Sequence, residues 1–324
     1  MKERRQVITI ATGKKLYVDF AVNLARSFFL WHTGEDINFQ LVTDLPELVP
    51  RELLAKIELI TTGKGEIGEG FSPKLHLDKL ISDGHTLFID SDCLIYRNLD
   101  FVFEQFRGHH VSVIGNYICK GEWFGDVAGI CTYFGIKEIP KFNGGIYYLE
   151  SGAVVDNVYA EARRIEKIYD QAGFVRLRNR PNDEVILAVA MQLNQQVALP
   201  EDGSIMAEFV NFRSGIKSNL FQGVAELYNT PQHRDYVREW PLTVAKPAIV
   251  HFLGHHNQMM PYIREAALLA NIVSGSKAFK KRMMVQLTVV IPHLVGVGLK
   301  NLLRPMYHAF FGARKIRKSE RIID

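Results

Sequence analysis

The sequence is poor in cysteine: 324 residues contain only Cys93, Cys119 and Cys131. They form no Cys-x-x-Cys pair and leave one thiol over under any pairing, which excludes a disulfide framework and makes a reducing cytosol the default compartment. Long hydrophobic runs are also missing. No stretch reaches the roughly 18 to 20 uninterrupted apolar residues that a membrane-spanning helix needs. The short run Val7–Ala11, between Arg4-Arg5 and Lys14-Lys15, is too brief for a signal-peptide core and reads as a first strand. No Gly-x-Gly-x-x-Gly follows that strand, so the dinucleotide-binding fingerprint is absent, and so is a Walker A loop. If phosphates are bound, a metal rather than a glycine cradle must do much of the neutralising. Internal repeats and low-complexity tracts are absent too.

What is present is an ordinary globular composition, 47% hydrophobic and 23% charged, long enough for one large α/β domain or two smaller ones. The net charge of +4 is unevenly spread. From Lys277 onward eleven lysines and arginines face only Glu320 and Asp324, a segment of +9 that leaves about −5 for the rest.

Hydrophobic periodicity predicts a helix over Tyr17–Trp31, strands at Phe39–Val42 and Ile57–Ile60, and a short helix over Pro50–Lys56. A glycine-rich loop, Gly63–Gly70, precedes a helix from Ser72 to Ile81 with Ser72 as its cap and Pro73 at its first position. Leu87-Phe88-Ile89 and Val111–Ile114 read as further strands, and Phe142–Leu149 as a strand entered through Asn143-Gly144-Gly145. Val154–Ala172 reads as a charged surface helix. A helix runs from Pro181-Asn182-Asp183-Glu184 to about Gln192, and Ala248–His251 is a late strand followed by the polar loop Gly254–Asn257. The β-α-β-α-β alternation points to a parallel, doubly wound sheet that binds ligands beyond the carboxyl ends of its strands.

The chemistry concentrates at such an end. Asp90 and Asp92, separated by Ser91, close the apolar run Leu87–Ile89, and desolvated carboxylates need a positive partner. His251 ends a short apolar strand in the same way. Two carboxylates and an imidazole suit Mn2+ better than Ca2+, with Mg2+ as the alternative. Each residue also has a plainer reading: His251 as a buried histidine on a backbone carbonyl, Asn143-Gly144-Gly145 as a tight turn, Asp183 and Glu184 as complements to a helix dipole, and Lys74 on a solvated face.

In order along the chain, Ser72-Pro73-Lys74-Leu75-His76, Leu87-Phe88-Ile89-Asp90-Ser91-Asp92, Phe142-Asn143-Gly144-Gly145-Ile146, Asp183-Glu184 and His251-Phe252-Leu253-Gly254 resemble the motif series of glycosyltransferase family 8. The opening Ile10-Ala11-Thr12 followed by Tyr17 is similar to its first strand and nucleotide loop. The resemblance runs from about residue 7 to 257. It implies a GT-A fold, Rossmann-like with a mostly parallel central sheet flanked by helices, a UDP-sugar donor, Mn2+, and hexose transfer with retention. By position, Asp90, Asp92 and His251 would hold the metal. Ala11, Thr12, Tyr17, Lys74, Ser91, Asn143, Gly144 and Gly254 would meet the donor, and Asp183 and Glu184 would carry the chemistry. The chain departs from the family at two places: Asn257 stands where the family has a phosphate-reaching lysine, and Glu184 where it has glutamine.

Met283–Leu303 is apolar but interrupted by Pro292, Gly296 and Gly298, and flanked by basic residues and by Tyr307, Phe310 and Phe311. Aromatics among cations suit in-plane contact with an anionic membrane, and the lipopolysaccharide members of the family carry a similar tail; packing as a helical subdomain is the other reading. The expectation is therefore a catalytic domain over 1–275 and a basic, amphipathic tail over 276–324. The activity expected is metal-dependent glycosyl transfer to a glycan or glycolipid acceptor in polysaccharide biosynthesis. It would act in the cytoplasm at the inner membrane face and without nucleic acid. A nucleotidyltransferase and a non-catalytic membrane-associated nucleotide- or sugar-binding protein stand beside it.

Overall fold

The computed structural model describes residues 4–34, 36–272 and 278–312. The chain divides into two compact units, Met1–Leu253 and Gly254–Asp324. The first begins with β1 (Arg5–Ile10), α1 (Lys15–Trp31), β2 (Ile37–Thr43), α2 (Arg51–Leu54) and β3 (Glu58–Thr61). A 3-10 helix, Ser72–Lys79, leads to β4 (His85–Ile89), β5 (Cys93–Ile95) and α3 (Asp100–Phe106). Then come β6 (Val111–Ser112), β7 (Gly115–Ile118), α4 (Val127–Phe134), β8 (Ile139–Phe142), β9 (Ile146–Glu150), α5 (Ala153–Lys167) and α6 (Asp183–Leu193). The unit closes with β10 (Met206–Glu208), β11 (Gly215–Asn219), β12 (Val224–Tyr228), β13 (Val244–Ala245) and β14 (Ile249–His251).

Six strands form the central sheet in the order β3-β2-β1-β4-β9-β6. The first four are parallel, as the alternation of strands and helices requires. β9 runs antiparallel to both β4 and β6, which the sequence pattern does not predict. The reason is local. The stretch predicted as one strand, Phe142–Leu149, is two strands of different sheets joined at Asn143-Gly144-Gly145, since β8 pairs with β7 instead. The Gly145 carbonyl accepts the N–H of Asp90, at the carboxyl end of β4, with N–O 3.0 Å. β9 therefore starts where β4 stops and must run backwards.

Two apolar layers cover the sheet. α1 contributes Val18, Ala21, Val22, Ala25 and Phe28 to one of them. α5 and α6 cover the other face. The sequence predicts α5 as a surface helix, but Val155, Val158, Tyr159, Ala162 and Ile165 are fully buried along one stripe, worth about 1.5–3 kcal/mol for each large side chain. The intervening charged residues disguise that stripe. Ser72 does not cap its helix, because Phe71 ahead of it is already helical. Its hydroxyl is given instead to Glu166 of α5.

A small second sheet, β10-β14-β5, is the other element that matters for function. Its register sets His251 between Glu208 on β10 and Cys93 on β5.

The second unit opens with the 3-10 helix Gly254–Gln258, in place of the loop expected there, followed by α7 (Tyr262–Ile272) and α8 (Ala278–Val285). A π turn, Gln286–Val290, joins α8 to α9 (Ile291–Phe311). Pro292, Gly296 and Gly298 do not break this helix. Pro292 falls directly after the π turn, where Ile291 N–H reaches Gln286 O, so its missing donor lies at a junction already widened. From Lys280 to Phe311 the helix is long and apolar enough to cross a membrane by length and composition, though no uninterrupted apolar run is that long. Leu287, Leu294, Leu302, Phe310 and Phe311 are more than half exposed. The basic residues Lys277, Arg314, Lys315, Arg317, Lys318 and Arg321 lie outside the described residues.

Candidate active site

The carboxyl edge of β4 gathers the candidate residues of the first unit. After Ile89 the chain makes a tight turn, with Cys93 N–H donating to Asp90 O, and Asp90 and Asp92 remain about a fifth exposed. β14 brings in His251, whose Nε2 stands 2.9 Å from Asp92 Oδ1 and 3.8 Å from Asp90 Oδ2. Its other nitrogen, Nδ1, donates to Asn143 Oδ1 at 2.8 Å. The same oxygen accepts Gly145 N–H, so Asn143 orients the ring with Nε2 toward the two aspartates.

The turn must be Gly-Gly because the approach is close. A Cβ on Gly145 would lie 2.6 Å from His251 Nδ1, and one on Gly144 would lie 2.6 Å from the Tyr147 hydroxyl. Sequence reading offers Asn143 and Gly144 to a sugar. In the structure Gly144 O accepts from Lys74 and Gly144 N donates to Glu184 Oε1 at 3.1 Å, and Asn143 Oδ1 serves His251 and Gly145.

Lys74 is central. Its ammonium lies 2.8 Å from Asp90 Oδ1, 2.8 Å from Gly144 O and 3.5 Å from Asp183 Oδ2, over the rings of Phe88 and Tyr147. Asp183 and Glu184 start α6 and are buried, capped by the Asn182 side chain, which accepts Glu184 N–H. Their place at a helix N-terminus offsets part of the cost of burying charge.

The electrostatics follow from crowding. Burial works against a charged His251, but Asp92, by charge and hydrogen bond, and then Asp90 and Glu208 push its pKa up to about 9. Burial also opposes the Lys74 charge, yet Asp183 and Asp90 hold it above the usual lysine range. Burial raises Asp90, with Lys74 and His251 pulling the other way. Five carboxylates, Asp90, Asp92, Asp183, Glu184 and Glu208, thus act on one ammonium and one imidazole, an imbalance that a divalent cation reduces.

The residues fit such an ion. Asp92, Cys93 and His251 offer ligand atoms within 4.8 Å of one another, and Asp90 adds a carboxylate beside His251. Burial holds the Cys93 thiol well above its usual pKa without an ion, while Asp90, Asp92 and His251 supply oxygen and imidazole ligands.

Ala11 and Thr12 follow β1, the parallel neighbour of β4, and so share its edge. The Ala11 carbonyl accepts the Thr43 hydroxyl. Ser91 sits in the turn between the two aspartates, and Tyr17 is exposed on α1 with Lys14 over its ring. Gly254 and Asn257 belong to the second unit, where Asn257 is buried. Sequence reading misses Tyr147 and Glu208. Alternation along β9 would have separated Tyr147 from Tyr148, one on each face. Glu208 lies on a three-residue strand with no pattern of its own.

No protein-family model matches the chain, and no curated protein matches it in sequence. Solved structures do match in fold. The galactosyltransferase LgtC, in complex with donor and acceptor sugar analogs, is 12% identical, with 86% of this chain and 99% of that chain covered and a TM-score of 0.53. An active-site mutant of LgtC, with glutamine changed to glutamate, is 13% identical over the same shares, with a TM-score of 0.51. At these identities the likeness establishes the fold, a GT-A fold as expected.

Proposed function

We propose that this chain, which has the fold of a GT-A glycosyltransferase, is a metal-dependent, retaining hexosyltransferase of family 8. It takes a hexose from a UDP-sugar to a glycan or glycolipid acceptor. The observation that carries the reading is the convergence of Asp90, Asp92 and His251 with Lys74 and the buried pair Asp183-Glu184 at one edge of the sheet. A nucleotide site alone needs no second carboxylate pair. Carboxylates at that place favour sugar transfer, because positive charge develops at the anomeric carbon.

Asp90, Asp92 and His251 would hold Mn2+, with Mg2+ as the alternative. The ion, when bound, supplies positive charge that offsets the charge of the departing diphosphate. Asn143 keeps the imidazole aimed at the ion site. Lys74 holds Asp90 and Asp183 at a fixed separation. Glu184, anchored on Gly144 N–H, places a carboxylate where the family carries an amide, which favours an oxocarbenium-like centre. Ala11, Thr12, Tyr17 and Ser91 stand along the edge where the donor would lie.

The exposed helix of the second unit, with Lys280, Lys300 and Arg304 among its apolar residues, supports peripheral contact with an anionic membrane. The enzyme would then work in the cytoplasm at the inner membrane face. The test of function is UDP release from a panel of UDP-sugars, with Mn2+ and with chelator, for wild type and Asp92→Ala. Manganese-dependent release lost in the variant is expected. Pyrophosphate as the product would instead make the chain a nucleotidyltransferase, and binding of UDP without any turnover would make it a binding protein.

A further inference from the structure

β9 carries two adjacent tyrosines, and the pleat sends them to opposite faces. Tyr148 joins the layer under α1 and α3, stacked on Phe106 and bonded to His85. Tyr147 faces α6 and donates its hydroxyl to Asp183 Oδ2. Both partners are almost wholly buried, at 1% and 2% exposure. The tyrosine ring cannot move aside: it stacks on Phe88 at 5.5 Å and meets Phe142 edge-on at 5.9 Å. Burial and the neighbouring Asp183 and Glu184 carboxylates hold the phenol well above its usual pKa, so it remains a donor.

We propose that Tyr147 is a positioning residue for the transfer reaction, acting through Asp183; the inference rests on the glycosyltransferase reading above. The carboxylate of Asp183 is gripped at one oxygen, Oδ2, by the Tyr147 hydroxyl, with the Lys74 ammonium 3.5 Å away. Those two holds set its rotation at the head of α6. Glycine at 144 is part of the same device, since a Cβ there would meet the tyrosine hydroxyl at 2.6 Å, Asp183 Oδ2 at 3.0 Å and Glu184 Cγ at 3.2 Å. A hydroxyl that only filled space would need no such clearance, and phenylalanine would serve equally well there.

The test is Tyr147→Phe in the full-length protein, with steady-state UDP release measured on the UDP-hexose that wild type turns over fastest, in Mn2+. Loss of a hydrogen bond to a charged group predicts kcat lower by roughly tenfold to a hundredfold, with the donor KM and calorimetric UDP affinity unchanged. Asp183→Asn and the double variant complete the cycle. The double variant is expected to be no slower than Asp183→Asn alone, because the tyrosine acts only through the aspartate. That comparison holds even if Tyr147→Phe melts at a lower temperature. An unchanged kcat in an active protein, or losses that add in the double variant, would overturn the positioning role and leave the function intact. A wild type inert on every donor would overturn both.

Discussion

Lys74 is the side chain whose removal should be felt most widely. Its side chain is 15% exposed and its ammonium is the cation shared by Asp90, at 2.8 Å, and Asp183, at 3.5 Å, the latter side chain being 2% exposed. Lys74→Met keeps the length and the apolar stem but leaves the buried Asp183 and the partly buried Asp90 short of a partner. Breaking a buried pair in this way costs about 3–5 kcal/mol, most of it the penalty of an uncompensated buried charge. With a urea slope near ~3 kcal/mol per molar for a protein of this size, the midpoint should fall by about 1 M. The control is Lys15→Met. Lys15 also makes a short ion pair, 2.6 Å to Asp19, but on an exposed helix face with side chains 68% and 47% exposed. Such a pair contributes about 0.5 kcal/mol or less, so its loss should leave the midpoint within experimental scatter. Urea unfolding followed by circular dichroism reads both. Equal, small shifts for the two variants would refute the claim that Lys74 neutralises the site. Added Mn2+ should raise the midpoint of wild type and of both variants by binding the folded state, and raise Lys74→Met most, because there it also supplies the missing positive charge.

Other outcomes follow from the same geometry. Asn143→Ala removes the acceptor of both His251 Nδ1–H and Gly145 N–H and should weaken Mn2+ binding about tenfold to a hundredfold in a direct titration, with a lower thermal midpoint as well. His32 is buried, stacked on Phe28, and accepts Leu99 N–H at Nε2; burial lowers its pKa to about 4, against 6.5 unfolded. The unfolded chain therefore binds this proton first as pH falls, so stability should drop between about pH 6.5 and 4, by up to about 3 kcal/mol, and His32→Gln should flatten that part of the profile. Glutamate at Leu302 and Phe310, which are 72% and 79% exposed, should abolish sedimentation with phosphatidylserine vesicles and leave turnover of a soluble donor unchanged.

What is legible in the sequence, and what is not, divides along physical lines. Strands β1 to β4 and helix α1 can be read because each carries its own periodicity, and parallel pairing follows from the helices between them. The reversed β9 cannot. Its direction is set by long-range pairing with β4 and β6, beginning at Asp90 N–H to Gly145 O, that no local pattern encodes. The same division runs through the site. Asp90, Asp92 and His251 stand out because polar residues ending apolar strands are costly and therefore conspicuous. Tyr147 and Glu208 do not stand out, because a tyrosine in a strand and a glutamate near a loop are unremarkable until pairing puts them beside a carboxylate and an imidazole. Lys74 reads as a donor contact from its position in a motif. The structure adds partners that the motif does not name, since its ammonium meets Asp90, Gly144 O and Asp183. Residue type and spacing thus mark which side chains matter. Which of them hold ligand and which hold each other is decided by register, where one carbonyl, one turn and two glycines without room for a Cβ bring the groups into contact.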